Sequence, residues 1–329
     1  ESLGALREFP PTREEHSMLW FALWLGLGTA TPVDKIDPDA KPSVCDSCAE
    51  WNVPHKPFRI FGNSYYVGPD GLSSVLITSD KGHVLIDGAL PQSAPQIAEN
   101  IASLGFRLQD VKWIVSSHAH YDHAGGIAAL SRKSGARVAA SKRSSEGLRS
   151  GSVPADDPQV GYGAEMLFPK VKEVRELSDG EELTLGTLRI NVHYTPGHTP
   201  GATSYSWQSC EGTTCLHMVY ADTLNAVSAP GFRFSAQPMR ITEFEQSIEK
   251  VKSLPCDVVI SAHPSFSRLF ERQDLRRTRK PSDPDPMIDQ AGCRSYALDA
   301  QDRLHKRLSQ EQETEKSAGG KRSAEAPKK

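Results

Sequence analysis

The chain has 329 residues, of which 38% are hydrophobic and 24% charged, an ordinary balance for a globular protein able to bury a substantial core in one large domain or two small ones. A formal net charge of −3 and a sequence pI near 6.4 supply no global positive field. That argues against nucleic acid as a partner and for small molecules.

In chain order, the first marked feature is an almost wholly apolar stretch at residues 18–28. It is too short to span a bilayer as a helix and matches the h-region of a secretory signal peptide, with Gly28, Thr29 and Ala30 as small residues for cleavage. A positive n-region is missing, and a helix packed on the domain is the competing reading. The expected organisation is a leader and Pro-containing linker at residues 1–44, one domain at 45–312, and a disordered tail at 313–329 that lacks apolar anchors. Cys45-x-x-Cys48 has no second such pair and no strand-to-helix pattern around it, so neither a zinc site nor a redox motif is indicated.

Residues 58–61, 65–67, 73–78 and 83–86 read as short strands punctuated by Gly and Asp, as in antiparallel hairpins. Ile97, Ile101 and Leu104 mark a helix within 92–105. The apolar run 111–115 reads as a buried strand, followed by a helix near 126–133 and a strand at 137–140. The Gly-, Pro-, Ser- and Asp-rich region 147–168 reads as a long loop of the kind that covers functional sites. Strands are expected again at 183–185, 188–195, 203–207 and 218–221. An amphipathic helix at 241–254, a buried strand at 258–261 and a last helix from 289 to about 312 complete the pattern.

Chemistry concentrates directly after the strand at 111–115. His118-x-His120-x-Asp122-His123, followed by Gly125 and Gly126, packs three imidazoles and a carboxylate into six residues. These are the ligands zinc prefers among non-thiolate side chains. On extended backbone, His118 and His120 point the same way, the turn brings Asp122 and His123 alongside, and the two glycines free the backbone to enter a helix. His198, in Pro-Gly-His-Thr-Pro-Gly, and His263, in Ser-Ala-His-Pro, each follow a strand in the same manner. The six residues divide into two sets of three, and three protein ligands per zinc leave the open position of a catalytic site. His16, His55, His83, His193, His217 and His305 lack such settings. Asp87, at a strand end, is a partner for a ligand histidine or the cap of a turn.

Taken together with Asp222 in Ala-Asp-Thr-Leu, these motifs resemble the metallo-β-lactamase superfamily over residues 51–308, and most closely its subclass B3, with similar stretches at 113–126, 218–228, 256–264 and 289–297. The resemblance implies an α/β fold, the four-layer αβ/βα sandwich with metals on loops at one edge. It implies two Zn2+ per chain: the first held by His118, His120 and His198, the second by Asp122, His123 and His263. The implied activity is hydrolysis of penicillins, cephalosporins and carbapenems by a metal-bound hydroxide that Asp122 orients, conferring antibiotic resistance. Thr223 and Asn225 stand where the family has serines that bind the antibiotic's carboxylate.

The family pattern also pairs Cys256 with Cys293 and Cys210 with Cys215. The usual partner position of Cys45 holds Asp70, which leaves Cys45 bonded to Cys48 or free. A periplasmic monomer with no membrane attachment after leader removal is expected. Two alternatives remain: a glyoxalase-II-like thioesterase or lactonase, in which an aspartate like Asp222 bridges the metals, and a zinc-dependent scaffold without catalysis.

Overall fold

The computed structural model describes Ile36 and residues 40–324, with side chains as far as Ser317. The apolar stretch at 18–28, the expected cleavage site and the last five residues lie outside the described part.

Seven strands form one sheet in sequence order: β1 (Phe58–Phe61), β2 (Ser64–Tyr66), β3 (Val75–Ser79), β4 (Gly82–Ile86), β5 (Val111–Val115), β6 (Arg137–Ser141) and β7 (Val174–Leu177). The first four run antiparallel, as the hairpin punctuation predicts, and β4 to β7 run parallel. A second sheet has the order β12-β11-β10-β9-β8, from β8 (Glu182–Leu185), β9 (Leu188–Tyr194), β10 (Thr203–Glu211), β11 (Thr214–Ala221) and β12 (Val258–Ser261). The helices are α1 (Cys48–Trp51), α2 (Ala94–Ser103), α3 (Tyr121–Ala124), α4 (Ile127–Ser134), α5 (Lys142–Ser150), α6 (Pro238–Ser253), α7 (Leu269–Thr278) and α8 (Gly292–Ala324).

Side-chain alternation explains how the layers stack. On β3, Val75 and Ile77 point into the core between the sheets, while Leu76 joins a core beneath α2 and α4 with Ile97, Ile101 and Leu130. On β11, Met218 and Tyr220 face the same inter-sheet core, whereas Val219 and Ala221 face Phe244, Ile248 and Tyr296 of α6 and α8. Strands covered on both faces read as continuous apolar runs. The result is helix, sheet, sheet, helix: the four-layer αβ/βα sandwich.

Among the elements that depart from the sequence reading are three helices. Helix α5 occupies the start of the expected loop; it is polar apart from Leu148 and starts from Ser141, whose Oγ accepts the Ser144 amide at 3.3 Å. Helix α7 was hidden for the same reason, since Leu269 is its one fully buried apolar side chain. The last helix begins at Gly292 and runs to Ala324, so residues 313–324 are helical where a disordered tail was expected. Gln, Glu, Lys and Ala there favour helix intrinsically, and Glu315 reaches Arg233 at 3.2 Å.

All six cysteines are bonded, as Cys45–Cys48, Cys210–Cys215 and Cys256–Cys293. Of the two fates open to Cys45, pairing with Cys48 is the one adopted. Asp70 accepts His55 Nδ1 at 2.9 Å.

Candidate metal centre

The six expected residues meet at one edge of the sandwich, beyond the C-terminal ends of β5, β9 and β12. Asp87, just after β4, fixes the central loop. One of its oxygens accepts the Ser117 amide at 2.7 Å; the other accepts the Ser117 hydroxyl at 2.6 Å and Tyr220 OH at 2.7 Å, and lies 3.7 Å from His123 Nδ1. The Asp87 backbone sits at φ 59°, a left-handed conformation that non-glycine residues adopt at a cost. Gly125 and Gly126 have ordinary helical φ, −56° and −84°. They are needed for closeness rather than flexibility: a Cβ on either would collide with Pro91 or Gly88.

Donor atoms converge in two groups. His118, His120 and His198 present ligand atoms within 4.8 Å of one another, as do His118, Asp122 and His123. The first three rings form a near-equilateral triangle with centroids 4.7, 5.0 and 4.9 Å apart. His263 completes the second group: its Nε2 lies 3.3 Å from His123 Nε2 and 3.5 Å from Asp122 Oδ2, which is 3.3 Å from His123 Nε2. Ligands bound tetrahedrally at about 2.0–2.1 Å stand about 3.3 Å apart, so this triangle has the dimensions of a metal's coordination edge. Two imidazole nitrogens and a carboxylate oxygen converging at these spacings are the donors a cation would share.

The opposite nitrogen of four of the five imidazoles is held by an acceptor; that of His123, Nδ1, lies 3.7 Å from Asp87 and has no hydrogen-bond partner. His118 Nδ1 faces Asp222 Oδ1 at 2.7 Å, His120 Nε2 lies 3.2 Å from both oxygens of Asp157, His198 Nδ1 donates to the Asn225 carbonyl at 2.8 Å, and His263 Nδ1 meets the Gly71 carbonyl at 3.2 Å. Such partners fix ring orientation and tautomer, leaving the inward nitrogen as a ligand. His118 Nε2 is buried with no hydrogen-bond partner, an arrangement that costs free energy unless something binds it.

Electrostatics favour the same assignment. Burial, then the charges of His123, His120 and His198, push the His118 imidazole well below its ordinary value. Burial lowers His198 to about 3. Burial would raise the Asp122 carboxyl, but the charge of His123 and hydrogen bonds from His123 and His263 hold it well below the carboxylate range. His123 is pulled down by burial and up by Asp122 and Asp87, which win and set it near 10. The lowered His118 and His198 and the ionised Asp122 are the forms a cation requires, whereas His123, kept protonated by Asp122 and Asp87, would release that proton on binding metal; with that proton lost, the donors present fit metal ions.

Thr223 is buried with its hydroxyl unpartnered, and Asn225 is half-buried. The Asn225 side-chain amide makes no hydrogen bond among the described residues, while its backbone carbonyl secures His198. Asp157 escaped the sequence reading because nothing local distinguishes it within an Asp- and Pro-rich loop; the loop character of 151–159 was the only signal. That loop is clamped to the segment after β11 by Ala229 N donating to Pro158 O at 2.9 Å and Tyr162 OH donating to Ser228 O at 3.1 Å.

The family model for the metallo-beta-lactamase superfamily matches residues 67–212. The solved structure of Rm3 metallo-beta-lactamase is 51% identical, covers 82% of this chain and 99% of its own, and superposes with a TM-score of 0.78. This chain belongs to the metallo-β-lactamase superfamily. Within it the chain falls with subclass B3: MEM-A1, a subclass B3 metallo-beta-lactamase from a soil metagenome library, is 46% identical over 80% of this chain and 99% of its own, with a TM-score of 0.76. A hydroxyacylglutathione hydrolase of Anaeromyxobacter dehalogenans is 27% identical over 168 residues, 51% of this chain and 52% of the relative. The chain thus matches about half the length of that curated relative.

Proposed function

We propose that this metallo-β-lactamase superfamily member hydrolyses the amide bond of β-lactam antibiotics, penicillins, cephalosporins and carbapenems, using two zinc ions. His118, His120 and His198 would hold one, and Asp122, His123 and His263 the other. The observation that carries the reading is the donor triangle of Asp122, His123 and His263 beside the three-histidine group, in a chain 51% identical to a metallo-β-lactamase.

Zinc in these positions supplies Lewis acidity toward the lactam carbonyl and lowers the pKa of water to near neutrality. The chain's own residues do the rest. Asp122, kept ionised and reaching the second group, orients the nucleophile and can accept its proton. Asp222, Asp157 and the carbonyls of Asn225 and Gly71 hold the imidazoles in place. Thr223 and the free amide of Asn225 are the donors for the substrate carboxylate, and the loop at 151–168 walls one side of the site.

The curated relatives support a second reading as a thioesterase or lactonase. Against it, Asp222 sits on the outward nitrogen of His118 rather than among the converging donors, where a metal-bridging aspartate would be. The test is zinc content together with turnover of one carbapenem and one thioester, with and without chelator. Carbapenem turnover abolished by chelation and restored by zinc is expected; faster thioester turnover would promote the second reading.

Export to the periplasm is part of the proposal, supported by three disulfides, which persist in oxidising compartments. Among the described residues no helix is long and apolar enough to cross a membrane. All six metal donors come from one chain, so a monomer suffices, with residues 45–312 as the catalytic domain.

A further inference from the structure

We propose that a groove at the N-terminal ends of β6 and β7 binds a soluble polyanion carrying several phosphate or sulfate groups. The groove encloses about 1210 Å3 and is lined by six cations, Arg132, Arg137, Arg149, Lys170, Lys172 and Arg175, with Glu173 as the one carboxylate on its wall among the described residues. In a chain whose net charge is −3, composition alone does not produce this cluster.

The cations are not neutralised equally. Arg149 reaches Glu176 at 3.0 Å and Arg175 reaches Glu181 at 2.6 Å. Arg137, Lys170 and Lys172 form no ion pair among the described residues. The Arg137 guanidinium lies 3.9 Å from the ring centroid of Trp113, which is only 3% exposed and forms the floor. Stacking holds that guanidinium in a fixed plane with its donors available. Lys170 and Lys172 are exposed on either side of buried Val171, and both line the groove. Like charges around a concave surface focus a positive field that an anion relieves, and arginine forks match tetrahedral oxyanions.

The volume far exceeds one sulfate or phosphate, which calls for a ligand with several such groups. A membrane surface is disfavoured because Trp113, Val138, Val171 and Val174 on the wall are all buried, leaving no exposed apolar side chain there to insert. A nucleic-acid strand is disfavoured because Trp113, the only ring on the wall, lies beneath Arg137 and is closed to base stacking. The metal donors follow the C-terminal end of β5, whereas the groove opens where the parallel strands β6 and β7 begin, so the two sites occupy opposite ends of the sheet.

The zinc-loaded full chain is titrated calorimetrically with sucrose octasulfate, a polyanion with little affinity for zinc. Saturable one-to-one binding that weakens with salt is expected. The variant R137Q/K170Q/K172Q should bind about tenfold or more weakly, from the loss of three surface charge contacts. The control R294Q/K306Q/K316Q removes the same charge from α8 and should change affinity by no more than about twofold. Turnover by the metal centre should be unchanged in both, which separates failure of this site from failure of the catalytic reading. If removal of Arg137 unfolds the edge, K170Q/K172Q leaves the Trp113 stack intact and should still weaken binding. Equal losses in groove and control variants, no binding of the sulfated sugar, or capture by phosphatidylglycerol vesicles without it would each overturn the proposal.

Discussion

Asp222 Oδ1 lies 2.7 Å from His118 Nδ1, with both side chains fully buried. Burial, opposed by the positive His123, raises the Asp222 carboxyl to about 7. The contact turns His118 Nε2 inward, toward both donor groups. Replacing Asp222 with Ala should therefore lower metal affinity about ten- to a hundredfold, measured by competition with a chromophoric chelator. Asp222→Asn, whose amide oxygen can still accept from Nδ1, should lose less. Equal affinity in Asp222→Ala and the unaltered protein would remove this aspartate from the metal centre.

The distinction between side chain and backbone marks how far the site could be read from the sequence. His118 and His120 share a group because extended chain repeats every two residues, and their strand was visible as an apolar run, so those ligands were legible. His198 and His263 were legible as histidines directly after strands. Asp157 contacts His120 across 37 residues of chain, a pairing that only tertiary structure creates. The carbonyls of Gly71 and Asn225 leave no sequence trace, since every residue has one. The sandwich was legible through buried strands, whereas α5 and α7, with little apolar surface, were not.

Cys256 and Cys293, 37 residues apart, join the segment after α6 to the first turn of α8, whose residues Tyr296, Ala297 and Ala300 share a core with α6. By loop-closure entropy, the double Cys→Ser variant should lose about 3–4 kcal/mol of unfolding free energy. Cys45 and Cys48 close a loop of separation 3 and should contribute less, so the two double variants rank in that order in urea titrations. A reversed order would show that the α6–α8 junction does not depend on its bond.

Glu311 accepts the Phe234 amide at 3.2 Å, the Ser235 amide at 2.8 Å and Arg307 Nε at 2.7 Å. Burial would raise its carboxyl, but the Ser235 and Phe234 amides and Arg307 hold it below the ordinary value of 4.5. A carboxyl depressed on folding contributes stability above its unfolded pKa, and the contribution is lost as pH falls through the lower folded value. Glu311→Gln should thus be less stable than the unaltered protein by about 1 kcal/mol at pH 7, with the gap closing as pH falls below about 4. Denaturant midpoints at the two pH values check this; a gap that does not narrow in acid would mean that the charge of Glu311 contributes nothing.

Asn225 serves the site through two different groups, and substitution separates them. Its carbonyl secures His198 Nδ1 at 2.8 Å and survives any side-chain change, whereas its side-chain amide is free to meet a substrate carboxylate. Asn225→Ala should therefore leave zinc content and kcat close to those of the unaltered protein while raising KM about three- to tenfold, the value of one or so hydrogen bonds. Thr223 offers a contrast: its hydroxyl is buried and unpartnered, so it must turn toward the site before it can donate. Thr223→Val, which keeps the shape and removes the hydroxyl, should then have the smaller effect on KM. Steady-state kinetics with one carbapenem and one penicillin test the pair, and a fall in zinc content in Asn225→Ala would transfer that residue's role from substrate to metal.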